Sequence, residues 1–136
     1  MAENALVDAG FLIALLSRRD RHHRWAAAQV PDSVLPWKTC EAVLSEAFRL
    51  LGPRGRPGLA ALLRRSAVIA AFELADELHR VLDLMQKYAD VPMSLADACL
   101  VRMTETMAGP IVLTTDADFR LYRRHGRQVV PCRLPE

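Results

Sequence analysis

Short apolar runs alternate with amphipathic stretches along the whole chain. Ala5-Leu6-Val7 has the character of a buried parallel strand, and residues 11–16, all apolar, read as the buried first turns of a helix. Asp8, Ala9 and Gly10 lie between them and allow a tight turn. Asp20 is placed to cap a helix over residues 21–29. Val34-Leu35-Pro36 predicts a second strand, after which Thr39 caps a helix running through Leu51. The stretch 52–58, with three glycines and two prolines, breaks that helix, and residues 58–65 resume it. Residues 67–71 predict a third strand. Leu74, Leu78, Val81, Leu82 and Met85 recur at helical spacing, so residues 74–88 form an amphipathic helix packed on a sheet. Asp90-Val91-Pro92 ends it, and a further helix covers residues 93–107 up to the stop at Gly109-Pro110. Ile111-Val112-Leu113 is the fourth strand, residues 114–119 open a short helix, and Gln128-Val129-Val130 is the last strand.

Strand and helix alternating in this way predict an α/β fold with a parallel sheet. At 136 residues and 51% hydrophobic, the chain is expected to form one domain, residues 1–136, with a real core. The net charge is only +2, but Lys38 and Lys87 are the only lysines, so the positive charge is carried by arginine, which grips phosphate bidentately. Cys40, Cys99 and Cys132 are odd in number and lack C-x-x-C spacing, which points to reduced thiols rather than zinc or disulfides. No basic-then-apolar leader opens the chain, and no apolar run approaches the ~20 residues of a membrane span. A soluble cytoplasmic protein without membrane partners is the expectation.

Four acids stand out by position. Asp8 and Asp116 each follow closely on a predicted strand, at the carboxyl edge of the sheet where parallel α/β folds bind ligands. Asp97 lies near the start of a helix among small and apolar residues, and Glu46 flanks the apolar face of another. Each has a plain structural explanation: Asp8 and Asp116 as helix caps, Asp97 as a first-turn acid, Glu46 as a boundary residue. Convergence would change that. Two like charges ~5 Å apart at an effective dielectric of ~20 repel by roughly 3 kcal/mol, so clustered carboxylates must protonate or bind a cation. An all-oxygen set points to magnesium or manganese, and such a site suits phosphodiester hydrolysis.

Leu6-Val7-Asp8-Ala9-Gly10-Phe11-Leu12, Val43-Leu44-Ser45-Glu46-Ala47, Ser94-Leu95-Ala96-Asp97-Ala98 and the run from Val112 to Phe119 follow one another in the order and spacing of a known family. The chain resembles the PIN-domain ribonucleases, and more narrowly the VapC-type toxins of bacterial toxin–antitoxin pairs. The resemblance implies a three-layer α/β/α fold with a five-stranded parallel sheet in the order 3-2-1-4-5. It also implies an endoribonuclease using Mg2+ or Mn2+. By position Asp8, Glu46 and Asp97 would ligate metal, Asp116 would help hold metal or water, and Thr114 would supply the hydroxyl of the T-x-D-x-x-F motif, facing substrate. Glu41 competes with Glu46 on the same helix, about 140° away around it. Asp118 competes with Asp116.

Arg18, Arg19 and Arg21, and the arginines between Arg120 and Arg127, follow motif acids and are expected to rim the acidic cleft as RNA contacts. The segment 52–58 reads as a solvated connection, with phosphate contact by its arginines as the alternative. His22 and His23 are adjacent, diverge on a helix and read as surface residues. A non-catalytic PIN-like module binding RNA or a partner protein is the runner-up, weakened because all four acids are present. An aspartate-nucleophile phosphohydrolase stands behind it, weakened by Gly10 where a second Asp is needed and by the absence of a lysine near a late strand. A homodimer inhibited by a cognate antitoxin is expected, partly from the resemblance and partly from the high apolar fraction.

Overall fold

The computed structural model describes residues 2–136. Its centre is a five-stranded, fully parallel sheet. In chain order the strands are β1 (Asn4–Val7), β2 (Trp37–Thr39), β3 (Val68–Ala70) and β4 (Pro110–Leu113), followed by the hairpin strands β5 (Arg123–Arg124) and β6 (Gln128–Val129), and β7 (Cys132–Arg133). The sheet runs β3-β2-β1-β4-β7, the expected topology, with β5 and β6 forming a separate antiparallel pair. Central β1 and β4 pair along their full length, from Asn4↔Pro110 to Val7↔Leu113. Ala5, Leu6, Val7, Val112 and Leu113 are buried, as expected of a strand covered on both faces.

Helices α1 (Ala9–Leu16), α2 (His23–Gln29), α3 (Glu41–Arg64), α4 (Leu74–Lys87) and α5 (Leu95–Thr106) connect the strands. Helix α3 packs on α1 and also meets α5, and α4 packs on α5. The core is extended by aromatic edges: Phe11 meets Trp25 and Trp37 at centroid distances of 5.9 and 5.3 Å, and Tyr122 meets Tyr88 and Phe119 at 5.2 and 5.3 Å. Among the described residues, no helix is long and apolar enough to cross a membrane.

Several local expectations are corrected. The second strand is not Val34-Leu35-Pro36 but Trp37–Thr39, because Pro36 has no N–H for a ladder, whereas the Trp37 N–H donates to Ala67 O at 2.8 Å. Thr39 therefore caps nothing: it is buried in β2 with its hydroxyl donating to Val7 O at 2.8 Å, and Cys40 opens α3. The break expected over residues 52–58 is confined to Gly52, whose φ of 67° turns the chain and lets Pro53 begin a second arm of the same helix. Proline fits that first-turn position because its missing N–H would have had no partner there. Asp20 holds a turn rather than capping a helix, its Oδ1 accepting from the His22 N–H at 2.8 Å. His23 Nδ1 lies 2.8 Å from Ala14 O. Gln128 and Val129 pair with Arg124 and Arg123 in a hairpin turned by His125 and Gly126, both at positive φ, so Cys132–Arg133 supplies the fifth strand beside β4.

Candidate active site

The carboxyl ends of β1 and β4 emerge side by side because Val7 and Leu113 are in register. Asp8 and Thr114 are the next residues of their chains, so they arrive together. Asp8 caps α1, its Oδ1 accepting from the Phe11 N–H at 2.8 Å, while the Thr114 hydroxyl donates to its other oxygen. The same hydroxyl oxygen accepts from the Asp116 N–H at 2.9 Å. One buried threonine thus orients the acid after β1 and the chain leading to the acid after β4.

Asp97 reaches the site from the first turn of α5. Ser94 and Asp97 form a reciprocal capping box: the Asp97 N–H donates to Ser94 Oγ at 3.0 Å and the Ser94 N–H to Asp97 Oδ2 at 3.4 Å. Tyr122, fully buried, donates its phenol to the same Asp97 oxygen at 3.1 Å. Asp116 caps the short 3-10 turn Ala117–Arg120, accepting from the Asp118 N–H at 2.9 Å. Glu46, half-buried, comes from α3.

Asp8, Glu46, Asp97 and Asp116 line one pocket of about 160 Å³ at this edge of the sheet. Of the competing residues, Glu41 is exposed and Asp118 turns its backbone toward Asp116; neither lines the pocket. Gly10 forms part of the wall, where a Cβ would collide with the Thr115 hydroxyl. Asp8 and Asp116 are helix caps, Asp97 is the first-turn acid of a capping box, and all three line the pocket, so the structural and the chemical explanations do not compete.

The electrostatics follow from burial. Asp8 is only 8% exposed, and desolvation pushes its carboxyl up from 3.8 to about 7. The bonds from Thr114 and Phe11 oppose that rise, and the charges of Asp97 and Asp116 add to it. Asp97 is also raised, chiefly by burial, against the opposing bond from Ser94. A carboxylate set with no histidine or cysteine in its pocket fits a hard divalent cation. The acids share a wall rather than a finished ligand shell: among the described residues no three His, Cys, Asp or Glu side chains surround a single point. The bonds to Ser94 and Asp118 hold Asp97 and Asp116 on their own elements, and the phenol of Tyr122 ties Asp97 to the segment that follows the 3-10 turn.

Other expected contacts lie elsewhere. Thr114 is fully buried with its hydroxyl bonded on both sides, which makes it an orienting group rather than a substrate contact. Arg18 and Arg19 do not line the acidic pocket; they lie past the far end of α1, whose eight residues span about 12 Å, in a second pocket with Arg54. Arg21 lines neither pocket and donates to His22 Nε2 at 3.0 Å. Arg123 is bound to the carbonyls of Arg120, Leu121 and Tyr122, and Arg124 to that of Thr104. Lys38 is bound to Asn4 and Lys87 to Gly126 O, so no lysine serves Asp8 and the aspartate-nucleophile reading has no support.

Sequence reasoning missed Ser94 and Tyr122. The S-x-x-D spacing of a capping box marks Ser94 in the sequence, but nothing local ties Tyr122 to an acid 25 residues earlier.

No curated protein matches the sequence. The crystal structure of Mycobacterium tuberculosis VapC20, described as a sarcin-ricin loop cleaving toxin, superposes with a TM-score of 0.73, covering 85% of this chain and 92% of that one at 22% identity. Residues 5–124 match the PIN domain, nearly the whole span that builds the sheet and the acidic pocket, and the chain accordingly belongs to the PIN domain family.

Proposed function

We propose that this protein is a divalent-metal-dependent endoribonuclease and the toxin of a toxin–antitoxin pair. The observation that carries the reading is the meeting of Asp8, Glu46, Asp97 and Asp116, from four separate elements, in one small pocket at the carboxyl edge of the sheet. These four residues would hold Mg2+ or Mn2+. When bound, the cation supplies Lewis acidity, which makes water more acidic and offsets negative charge on phosphate.

The chain's own groups prepare that chemistry. Thr114 fixes the orientation of Asp8, so the buried acid presents itself without rotamer search. Tyr122 and the Ser94 capping box fix Asp97 at the first turn of α5. Burial keeps Asp8 partly protonated near neutrality, which limits repulsion among the acids in the metal-free protein. Among the described residues no hydrogen-bond partner holds the Glu46 side chain, which makes it the pocket acid freest to adjust.

Similarity to VapC20, described as cleaving the sarcin-ricin loop, supports RNA as the substrate and an antitoxin as the natural partner. Such an inhibitor would suppress activity by placing an arginine among the acids, its guanidinium pairing bidentately with a carboxylate. A homodimer in the cytoplasm completes the reading. Exposed Leu78 and Leu82 on α4 supply apolar surface for self-association, and a monomeric mass by light scattering across micromolar concentrations would exclude it. The test of activity is cleavage of single-stranded and hairpin RNA by wild type, Asp8→Asn and Glu46→Gln, each with EDTA and with manganese. Cleavage only by wild type with manganese is expected. Equal cleavage by all three proteins would place the chemistry elsewhere.

A further inference from the structure

We propose that Arg18, Arg19 and Arg54 form an anchoring site for a backbone phosphate of the RNA, away from the cleavage point. The inference rests on the ribonuclease reading and adds a second point of contact to it. The pocket, about 330 Å³, opens where α1 ends: Leu16 and Leu51 form apolar wall, Arg18 and Arg19 enter from the α1 side, and Arg54 from α3.

Three features mark it as an anion site. No Asp or Glu lines it, and among the described residues none of its arginines is in a salt bridge; Arg102 forms both that exist. Three unpaired guanidinium groups around one concavity repel one another and are relieved by an anion. Arg54 also lies in the first turn of the second arm of α3, after the turn at Gly52, where the positive end of the helix dipole adds to the side chains.

The occupant is set by chemistry and by distance. Guanidinium pairs bidentately with phosphate oxygens. The acidic pocket lies at one end of α1 and the arginine pocket at the other, about 12 Å apart along eight residues. A polynucleotide repeats its phosphates at short, regular intervals, so a strand with one phosphate at the acids presents others within reach of the arginines. A few nucleotides bridge the two. The Gly-Pro-Arg stretch, for which phosphate contact was the alternative to a solvated connection, thereby gains that role through Arg54.

The test measures binding of a labelled single-stranded RNA long enough to span both pockets, by fluorescence anisotropy in EDTA at several salt concentrations. Wild type is compared with Arg18→Ala/Arg54→Ala and with a charge-matched control, Arg64→Ala/Arg80→Ala, whose arginines are exposed elsewhere. Melting curves establish that all three are folded. The first variant should bind about tenfold more weakly, the scale of a lost charged contact. Its log–log salt slope should be shallower by about 0.7, one phosphate contact on a single strand. The control should match wild type. With manganese, the first variant should raise KM for the long RNA and leave a substrate too short to reach the arginines unaffected. An equal loss in both variants, no loss in either, or loss of binding to poly-glutamate with RNA binding intact would overturn the proposal. Wild type that binds RNA but never cuts it would refute the nuclease reading alone.

Discussion

Asp8→Asn should gain stability on wild type between pH 5 and pH 8 in the presence of EDTA. The buried carboxyl of Asp8 ionises at about 7 in the folded chain, against 3.8 without the fold. Between those values the folded state holds a proton that the unfolded state has lost, so stability falls as pH rises, by about 1.4 kcal/mol per pH unit. From pH 5 to the folded value is two units, so wild type loses about 2.7 kcal/mol through this one group before pH 8. Asparagine cannot ionise and escapes that loss. It caps a helix as well as aspartate does, and can still accept from the Phe11 N–H. Its amide would, however, face the Thr114 hydroxyl, which already accepts from Asp116, and that mismatch costs about 1 kcal/mol. The mismatch is the same at both pH values and cancels from the difference. Urea unfolding of both proteins at pH 5 and pH 8 should therefore show the variant gaining about 2.7 kcal/mol on wild type between the two. At about 4 °C per kcal/mol, that is a relative shift of ~10 °C in melting temperature. An identical stability difference at both pH values would mean that Asp8 is an ordinary cap with an ordinary carboxyl, and the electrostatic reasoning would fail.

Manganese affinity, measured by calorimetry, should weaken about tenfold per pH unit below 7, because a proton and the cation compete for Asp8; a flat profile would exclude Asp8 as a ligand. Asp97→Asn should abolish cleavage and most of the roughly 2.7 kcal/mol that manganese contributes at a hundred times its dissociation constant. In EDTA it should melt close to wild type, since losing a charge near Asp116 offsets a weakened capping box; an unchanged manganese response would remove Asp97 from the site. Tyr122→Phe should cost about 1 kcal/mol and move manganese binding to higher pH, because the phenol favours ionised Asp97. Unchanged binding at every pH would reduce the tyrosine to core packing.

The strands and helices that carry the acids were legible in the chain, because burial on both faces demands continuous apolar runs such as Ala5-Leu6-Val7 and Ile111-Val112-Leu113. The order of four short motifs indicated the family, and the match over residues 5–124 bears that out. Caps were legible only in part: Asp8 and Asp116 cap as their positions suggest, whereas Asp20 and Thr39 do not. Ser94 lies three residues from Asp97, within reach of local rules, whereas Tyr122 meets that aspartate only through folding. Pairing misplaced β2 and the fifth strand, since a two- or three-residue strand such as Cys132–Arg133 is defined by the ladder it joins rather than by its own composition. The arginines show the same limit most clearly. Sequence proximity to Asp8 suggested that Arg18 and Arg19 rim the acids, but an eight-residue helix intervenes and carries them about 12 Å away, to Arg54. Residue type and local spacing are fixed by the chain itself; which charges end up sharing a pocket depends on the direction in which each helix leaves the sheet, and tertiary packing alone decides that.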